Sequence, residues 1–369
     1  MNFILFYFGF HYLIYHLLKI EMSLKVNIIS KLSELKTYKK EWDNLFFSFG
    51  KSPFQSFEFI YYSWLNEFLH LTDNKISVII IKRRRSIVAI FPLYIDVYKR
   101  LRFINDQHSD YCDFIYSSTI KISEIKLNFF TLLDIKSIHF VNTPQNFIYS
   151  SITSNFENLY NYSLNYMNYS EMSLKKLAFP EKIAKYKSKE KTGIRRIKKI
   201  NIDNDFCLYS NDNFVFPLKE IHELRNEMIS LNIRSENFLK KERLMLLESL
   251  YNSGRLIMSV IKNQNKIQAI SFILKKSNQY TFWIDMYNYS SKMLNLYNYI
   301  CFMEHIQKFN DVKISFGRGL YDYKIKNFLP DRKKLFAFYT YKNYLNFLLF
   351  RIIFELKTFI KTVYKIMFR

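Results

Sequence analysis

The chain has 369 residues, of which 49% are apolar and 24% charged, so it is long and apolar enough for two folded domains and is not a disordered protein. Its formal net charge of +23 favours anionic partners: phosphate-bearing cofactors, acidic lipid surfaces or nucleic acid. The three cysteines, Cys112, Cys207 and Cys301, show no metal-ligand spacing. They predict neither a zinc site nor a disulfide scaffold, and they fit a reducing cytoplasm.

The first 22 residues are apolar, with no charged residue before Lys19. The length suffices for one membrane span, and Lys19 and Lys25 would then keep the following domain in the cytoplasm. A translation start placed too early explains the segment as well, because Met22 opens ordinary sequence. A secretory signal fits less well, since no basic region precedes the apolar run.

Helical patterns follow. An amphipathic pattern begins at Ile28 and runs through Trp42 and Phe46. Residues 52–56, Ser-Pro-Phe-Gln-Ser, then introduce a helix with an apolar face at helical spacing: Phe59, Ile60, Trp64, Leu65 and Phe68.

Two stretches, residues 76–95 and 256–274, each predict a β-hairpin, and they repeat one pattern. Ile81-Lys82 followed by Ile87, Ala89 and Ile90 recurs 180 residues later at Ile261, Ile267, Ala269 and Ile270. We therefore predict two related α/β domains in tandem, residues 23–175 and 176–343.

Between and within these domains lie two polar segments. Residues 106–114 bring Asp110 and Asp113 together with His108 and Tyr111, either lining a cleft or forming a polar loop. Residues 180–200 contain nine Lys or Arg and two Glu, which is typical of a solvated helix or linker. Residues 216–253 are helical in pattern, and three strands follow up to Asp285.

Asp285 stands among apolar and aromatic residues at the end of the third of these strands. A carboxylate there is a candidate general base, although an acidic residue at a strand end is also a common turn residue.

The stretch most indicative of a binding site is residues 312–342. A short strand stops at Gly317-Arg318-Gly319, Tyr323 and Lys324 follow, and a turn at residues 330–331 leads to a second strand from 335 to 341. Two glycines beside one arginine allow close backbone approach to a ligand and a fixed guanidinium. The alternative is an ordinary strand-to-loop turn.

This stretch resembles the C-terminal signature of the CelD-like (BioF-like) acetyltransferases of the GNAT superfamily. The matching residues are Phe316 to Gly319, then Tyr323-Lys324, Asn327-Phe328 and Pro330, whereas Ser315 replaces the family's usual Asp. The Pro-Phe-Gln-Ser segment and Asp110-Tyr111-Cys112-Asp113 are similar to family segments as well. The resemblance implies tandem GNAT-like units with mixed sheets.

The resemblance also implies an acyltransferase that uses acetyl-CoA or another acyl-CoA and a small-molecule or glycan-precursor acceptor. It assigns acceptor or phosphate contacts to Arg195, Arg196, Arg318 and Lys324, the thiolate's proton to Tyr323, and the acceptor's proton to Asp285. The loop before the next helix, with Ser291 and Asn295, would hold the pyrophosphate, although this chain lacks the family's Pro-Gly there. A FemAB-type transferase with an aminoacyl-tRNA donor therefore stays open.

Residues 344–369 predict one amphipathic helix with a polar stripe and a wide apolar face. It suits either an interfacial helix at the inner membrane surface or a helix docked on its own protein core. A protein that binds membranes or nucleic acid without catalysis is a further alternative. No nucleic-acid-binding signature supports that last class.

Overall fold

The computed structural model describes residues 24–367 except 70, 72, 126, 154–157, 292 and 320. The apolar segment 1–22 lies outside the described residues, so its interpretation stays a prediction. The first half of the chain alternates strands and helices, and its first three helices follow the opening strand. Its elements are β1 (Leu24–Ile29), α1 (Leu32–Thr37), α2 (Lys39–Phe49), α3 (Phe57–Ser63), β2 (Lys75–Ile76), β3 (Val78–Arg83), β4 (Ser86–Phe91), β5 (Leu93–Ile95), β6 (Arg100–Phe103), β7 (Ile115–Tyr116), α4 (Phe129–Leu132), β8 (Ser137–Pro144), α5 (Tyr149–Thr153) and β9 (Tyr160–Leu174).

The second half repeats this order and adds one long helix at its end. Its elements are α6 (Ser188–Ile200), β10 (Asp205–Tyr209), α7 (Leu218–Ser230), α8 (Lys241–Asn252), β11 (Leu256–Asn263), β12 (Lys266–Lys276), β13 (Gln279–Tyr287), α9 (Leu294–Ile306), β14 (Val312–Arg318), α10 (Asp322–Phe328), β15 (Asp331–Tyr341) and α11 (Tyr344–Met367). The fold is α/β, with two GNAT-like units in tandem and a C-terminal amphipathic helix, as the sequence predicted.

The internal repeat is confirmed at the level of strand register. In the first unit Ile81 pairs with Ala89 and Lys82 with Ile87, with a bulge between Ile81 and Lys82. In the second unit the residues 180 positions later pair in the same way, and the bulge falls at the same place. The neighbouring strands β1 and β10 keep the same offset, since Val26 pairs with Ile81 and Phe206 with Ile261.

The two units exchange their last strands. The larger sheet has the order β10-β11-β12-β13-β14-β9-β15-β8-β6-β5-β2, and the smaller one β1-β3-β4-β7. Strand β9 of the first unit pairs with β14 of the second, while β15 of the second pairs with β8 of the first. Strands β9 and β15 also pair with each other at the centre. One continuous sheet therefore joins both halves.

Several details differ from the sequence-based predictions. Ile28 and Ile29 close strand β1, which contributes to the edge of a sheet, so the helical pattern predicted from Ile28 begins later, at Leu32. The segment after Arg318 contains helix α10, with Tyr323 and Lys324 in its first turn. Helix capping by Ser56, whose side chain accepts a hydrogen bond from the Phe59 N–H, explains the predicted start of α3.

Helix α11 docks on the sheet by three phenylalanines. Phe350 packs against Tyr339 and Tyr341, Phe347 against Tyr160, and Phe354 against Tyr162. Searching the described part of the chain for a helix with the length and apolarity of a membrane span finds none.

Candidate functional site

The parallel strands β13 and β14 separate in the second unit. Their described pairing covers Gln279–Lys313, Tyr280–Ile314 and Thr281–Ser315 and ends there. Beyond it the two chains diverge, and Asp285 on β13 and Arg318 on β14 lie past the point of separation. Of the predicted site residues at this splay, Asp285, Tyr323 and Lys324 are not among those that line the two clefts described below.

A bulge at Gly317 decides which way Arg318 faces. Simple alternation along β14 would place Arg318 on the face of Ile314 and Phe316, which are buried in the core. The pairing with β9 instead shifts between Ser315 and Arg318, and Gly317 has a φ of +74°. Arg318 therefore turns to the opposite face, toward the first unit.

Arg318 binds the polar loop of the first unit. Its Nε donates to Asp110 Oδ1 at 2.7 Å and its Nη2 to the Gln107 carbonyl at 3.0 Å. Burial raises the pKa of Asp110, and the nearby Arg318 charge opposes that rise. The sequence prediction brought these two residues into one site without predicting their contact.

Lys324 stands at the same splay and is buried. Its ammonium donates to the Phe316 carbonyl, at the end of β14. Burial lowers the pKa of Lys324, while Asp285 and Asp110 both act to raise it. The ammonium thus lies near both carboxylates of the predicted site and holds the separated end of β14.

Asp285 accepts hydrogen bonds from two side chains. Its Oδ1 accepts from Ser271 Oγ at 2.7 Å, and its Oδ2 accepts from the Tyr299 hydroxyl. The Tyr299 hydroxyl also lies near that of Tyr323, close enough for each residue to alter the pKa of the other. Tyr299 thus stands next to both the predicted base and the predicted acid, and the sequence reasoning missed it.

The hydroxyls of Tyr299 and Tyr323 are held protonated. Burial raises the pKa of Tyr299 well above its ordinary value, and the charge of Asp285 adds to the rise. Burial raises the pKa of Tyr323 as well, the charge of Asp285 adds to the rise, and the neighbouring Tyr299 opposes it. Both hydroxyls therefore stay protonated at neutral pH.

Two clefts meet at Asp110. The first, here named the Trp283 cleft, encloses 580 Å³ between the units; Glu67, Arg243, Trp283, Asp110 and Arg318 are among its lining residues. The second, here named the basic cleft, encloses 490 Å³. Its cations are Lys51, Lys313, Arg332, Lys333 and Lys334.

The equivalent splay in the first unit is filled. Strands β6 and β8 also run parallel, and their described pairing ends at Leu101–Ile138. Buried rings then occupy the gap: the centroids of Phe103 and Phe140 lie 4.9 Å apart, and those of Phe114 and Phe147 also 4.9 Å. The second unit is consequently the better candidate for a binding site.

The remaining predicted residues lie at varying distance from this splay. Gly319 directly follows β14 and has a φ of +87°. Asp113 is buried and accepts hydrogen bonds from Lys51 Nζ at 2.8 Å and from the Phe114 N–H at 2.9 Å, so it positions a lysine of the basic cleft. Arg195 and Arg196 are exposed on α6, where Arg195 pairs with Glu181 at 3.0 Å. Neither lines the two clefts.

Ser291 and Asn295 stand at the predicted pyrophosphate loop. The Ser291 N–H donates to the Asn288 carbonyl at 3.3 Å, and Asn295 Oδ1 accepts from the Leu296 N–H at 2.9 Å. The Leu296 N–H, in the first turn of α9, is therefore already hydrogen-bonded within the protein. The N–H groups of Leu294 and Asn295 have no acceptor among the described residues. Across the described residues, no group of His, Cys, Asp and Glu could hold a metal ion.

Two residues that the sequence reasoning passed over belong to this region. Tyr299 lies on the buried face of α9. A buried tyrosine hydroxyl normally needs a hydrogen-bond partner, so a tyrosine on this apolar helix face could have indicated a polar contact. Arg243 lies over Trp283 at 5.4 Å and pairs with Glu67 at 2.6 Å, with only 8% of its side chain exposed. Its Nη2 has no hydrogen-bond partner, although it lines the Trp283 cleft.

Solved structures share this fold. The C-terminal domain of a predicted lysylphosphatidylglycerol synthetase from Agrobacterium fabrum is similar over 86% of this chain and 95% of that chain, with a TM-score of 0.57 at 10% identity. L-PGS from Bacillus licheniformis is similar over 85% and 94%, with a TM-score of 0.54 at 11% identity. FemX is similar over 85% and 96%, with a TM-score of 0.54 at 10% identity.

At these identities the likeness shows a common fold. A scan of protein-family models gives no match, and neither does a search of curated protein sequences. The GNAT-like fold that the resemblance implied is thus confirmed, while membership of the CelD-like family stays a prediction.

Proposed function

We propose that the protein is an acyltransferase whose transfer site is the splay between β13 and β14. The observation that carries the proposal is the cluster of Asp285, Tyr299 and Tyr323 at this splay, in which the Tyr299 hydroxyl donates to Asp285 and lies near the Tyr323 hydroxyl. It joins a carboxylate that can accept a proton to a phenol that can donate one, in a partly water-excluded place. The acceptor's nucleophile and the donor's carbonyl meet there.

The transfer needs a net movement of one proton. An amine or hydroxyl of the acceptor attacks the thioester carbonyl, the carbon–sulfur bond breaks, and the acyl group forms an amide or ester. Asp285 takes the proton that the acceptor loses, and Tyr323 gives one to the departing thiolate. Tyr299 then returns the proton from Asp285 to Tyr323, so the enzyme ends in its starting state.

Acyl-CoA is the donor that we propose first. The N–H groups of Leu294 and Asn295, which find no acceptor in the described part of the chain, open a helix of 13 residues, a suitable place for the pyrophosphate near Ser291. Helix α9 leads from this loop directly to Tyr299, so a bound pantetheine arm would run toward the splay. Arg318 and Lys324 orient anionic or carbonyl groups of the substrates.

An aminoacyl ester is the second candidate donor. One of the similar structures is named a lysylphosphatidylglycerol synthetase and another FemX, and this chain resembles FemAB-type transferases that use charged tRNA. The same proton chain serves that reaction, since an ester alkoxide then takes the proton of Tyr323. In both cases we propose an acceptor from cell-envelope or polysaccharide synthesis.

Acetyl-CoA turnover tests the proposal directly. The full chain is incubated with acetyl-CoA and a panel of amines that includes amino sugars, and the free thiol is measured over time. We expect Tyr323→Phe to lower the rate about 100-fold or more, because it removes a general acid. Calorimetric titration should show unchanged acetyl-CoA affinity in this variant.

Tyr321→Phe is the matched control. Tyr321 is two residues away, its ring stacks on Tyr323 at 5.9 Å, and 57% of it is exposed. Loss of its hydroxyl should leave the rate roughly unchanged. Equal losses in both variants would contradict the proton chain. Absence of acetyl-CoA binding together with transfer from an aminoacyl-tRNA would replace the first donor by the second.

We further propose that the protein works at the cytoplasmic surface of the membrane through helix α11. The face of α11 opposite the docked phenylalanines carries exposed apolar residues at steps of three and four, here named the outward stripe. Its members are Leu345, Leu348, Leu349, Ile352, Ile353, Leu356, Phe359, Ile360 and Met367. Four cations and one carboxylate in α11 make an anionic bilayer the fitting occupant of this face.

A further inference from the structure

The basic cleft has an excess of positive charge that the protein itself does not neutralise. Five cations line it; Lys51 pairs with Asp113 behind the wall, and the carboxylates among its lining residues are Asp110 and Glu171. Asp110 already pairs with Arg318 at 2.7 Å. We propose that the basic cleft binds a phosphate-bearing group of a substrate.

Glu171 forms ion pairs with two of these cations. Lys313 Nζ lies 3.0 Å from its Oε2, and Lys333 pairs with its Oε1. Only 12% of the Glu171 side chain is exposed, so one largely buried carboxylate holds both ammonium groups at the cleft wall. One negative charge shared by two lysines leaves net positive charge facing the cleft.

Arg332 and Lys334 have no ion pair among the described residues, and both are exposed where β15 borders the cleft. Alternation along β15 places Lys333 on one face and both Arg332 and Lys334 on the other, so this strand lines the cleft with cations from both of its faces. The planar guanidinium of Arg332 can donate two parallel hydrogen bonds, and the ammonium of Lys334 adds a compact positive charge. Both groups suit phosphate oxygens.

The cleft also adjoins the proposed transfer site. It is lined by Thr281 and Ser315, the last paired residues before β13 and β14 separate, and by Asp110 at the splay. Tyr111 and Tyr169 form an aromatic wall with ring centroids 5.9 Å apart. A phosphate held here would place the remainder of its molecule within reach of the splay.

This inference rests on the proposed function, because it gives the transferase a phosphate-bearing substrate. The phosphate has two possible sources, the nucleotide part of the donor and a phosphorylated acceptor. Competition between coenzyme A and inorganic pyrophosphate distinguishes them. Displacement assigns the cleft to the donor, and simultaneous binding assigns it to the acceptor.

Calorimetric titration of the full chain with inorganic pyrophosphate tests the site. Arg332→Ala with Lys334→Ala should weaken binding about 10-fold or more, since two charged donors are lost. Glu171→Gln should strengthen binding about 5-fold, because it frees Lys313 and Lys333. Added salt should weaken binding by the wild type.

The control removes the same charge elsewhere. Lys199 and Lys266 are exposed and have no ion pair among the described residues, so Lys199→Ala with Lys266→Ala should leave the affinity unchanged. Tyr323→Phe should also leave it unchanged, which separates this test from that of the transfer reaction. The proposal is overturned if pyrophosphate does not bind, if both double variants lose affinity equally, or if Glu171→Gln weakens binding in a folded protein.

Discussion

Arg318 owes its place in the site to its neighbour Gly317. The left-handed backbone at Gly317 produces the bulge that turns the guanidinium from the core toward Asp110 of the first unit. A Cβ at Gly317 would lie 2.4 Å from Asp110 Oδ2 and 3.1 Å from the Phe282 carbonyl. The glycine is therefore required twice, for its φ and for the contact between the units.

We expect Gly317→Ala to lower the free energy of unfolding by about 2 kcal/mol, since alanine is strained at positive φ and displaces the Asp110 carboxylate. Chemical denaturation followed by tryptophan fluorescence measures the change.

Gly193→Ala is the control for that substitution. Gly193 lies inside α6, and a Cβ there meets nothing within 4 Å. Alanine should raise the free energy of unfolding by about 0.5–1 kcal/mol, because it favours the helix. A Gly317→Ala protein as stable as the wild type would show that the bulge tolerates a side chain.

At the level of single elements, α11 docks on the sheet and leaves one apolar face open for the membrane contact that we propose. Its phenylalanines dock on the sheet, while the outward stripe stays exposed, with individual residues between 40% and 71% accessible. A helix that merely completed the core would leave no such continuous apolar face.

We expect Leu345→Ser, Leu349→Ser and Leu356→Ser together to reduce binding to phosphatidylglycerol vesicles at least about 10-fold, because three apolar side chains no longer enter the lipid. Vesicle sedimentation measures this in a chain that starts at Met22, so that the preceding apolar segment cannot contribute.

Three other exposed apolar residues provide the matched control for the vesicle experiment. Ile202, Val215 and Phe309 are 75%, 88% and 61% exposed and lie outside α11. Their replacement by serine should not change sedimentation. If it reduces binding as much as the α11 variant does, the outward stripe is not the membrane contact.

At the scale of the whole molecule, the exchanged strands make the two units depend on each other. Strand β15 pairs with β9 along its full length, from Asp331–Glu171 to Tyr341–Tyr160. A cut near residue 175, where we predicted the domain boundary, separates β14 and β15 from this partner.

We therefore expect residues 176–369 alone to lack a cooperative unfolding transition, and co-expression with residues 1–175 to restore one by assembly of the halves. Thermal unfolding of the fragments and of the co-purified pair measures this. A fragment that unfolds cooperatively by itself, at the temperature of the full chain, would contradict the dependence.

The local and repeating features of the protein could be predicted from its sequence alone. Alternation and turn residues predicted the hairpins, the 180-residue repeat predicted two similar units, and helical spacing predicted α11. These features depend on neighbours in the chain, so they can be recognised without knowing the fold. The glycines around Arg318 likewise marked a backbone of special conformation.

Only the tertiary structure decided which distant residues meet. Asp110 and Arg318 are separated by 208 positions, and their contact depends on strand exchange and on a bulge. Tyr299 stands next to both Asp285 and Tyr323 because α9 packs over the splayed strands, and the basic cleft collects cations from both units. No local pattern encodes such contacts, since they follow from how the two units pack together.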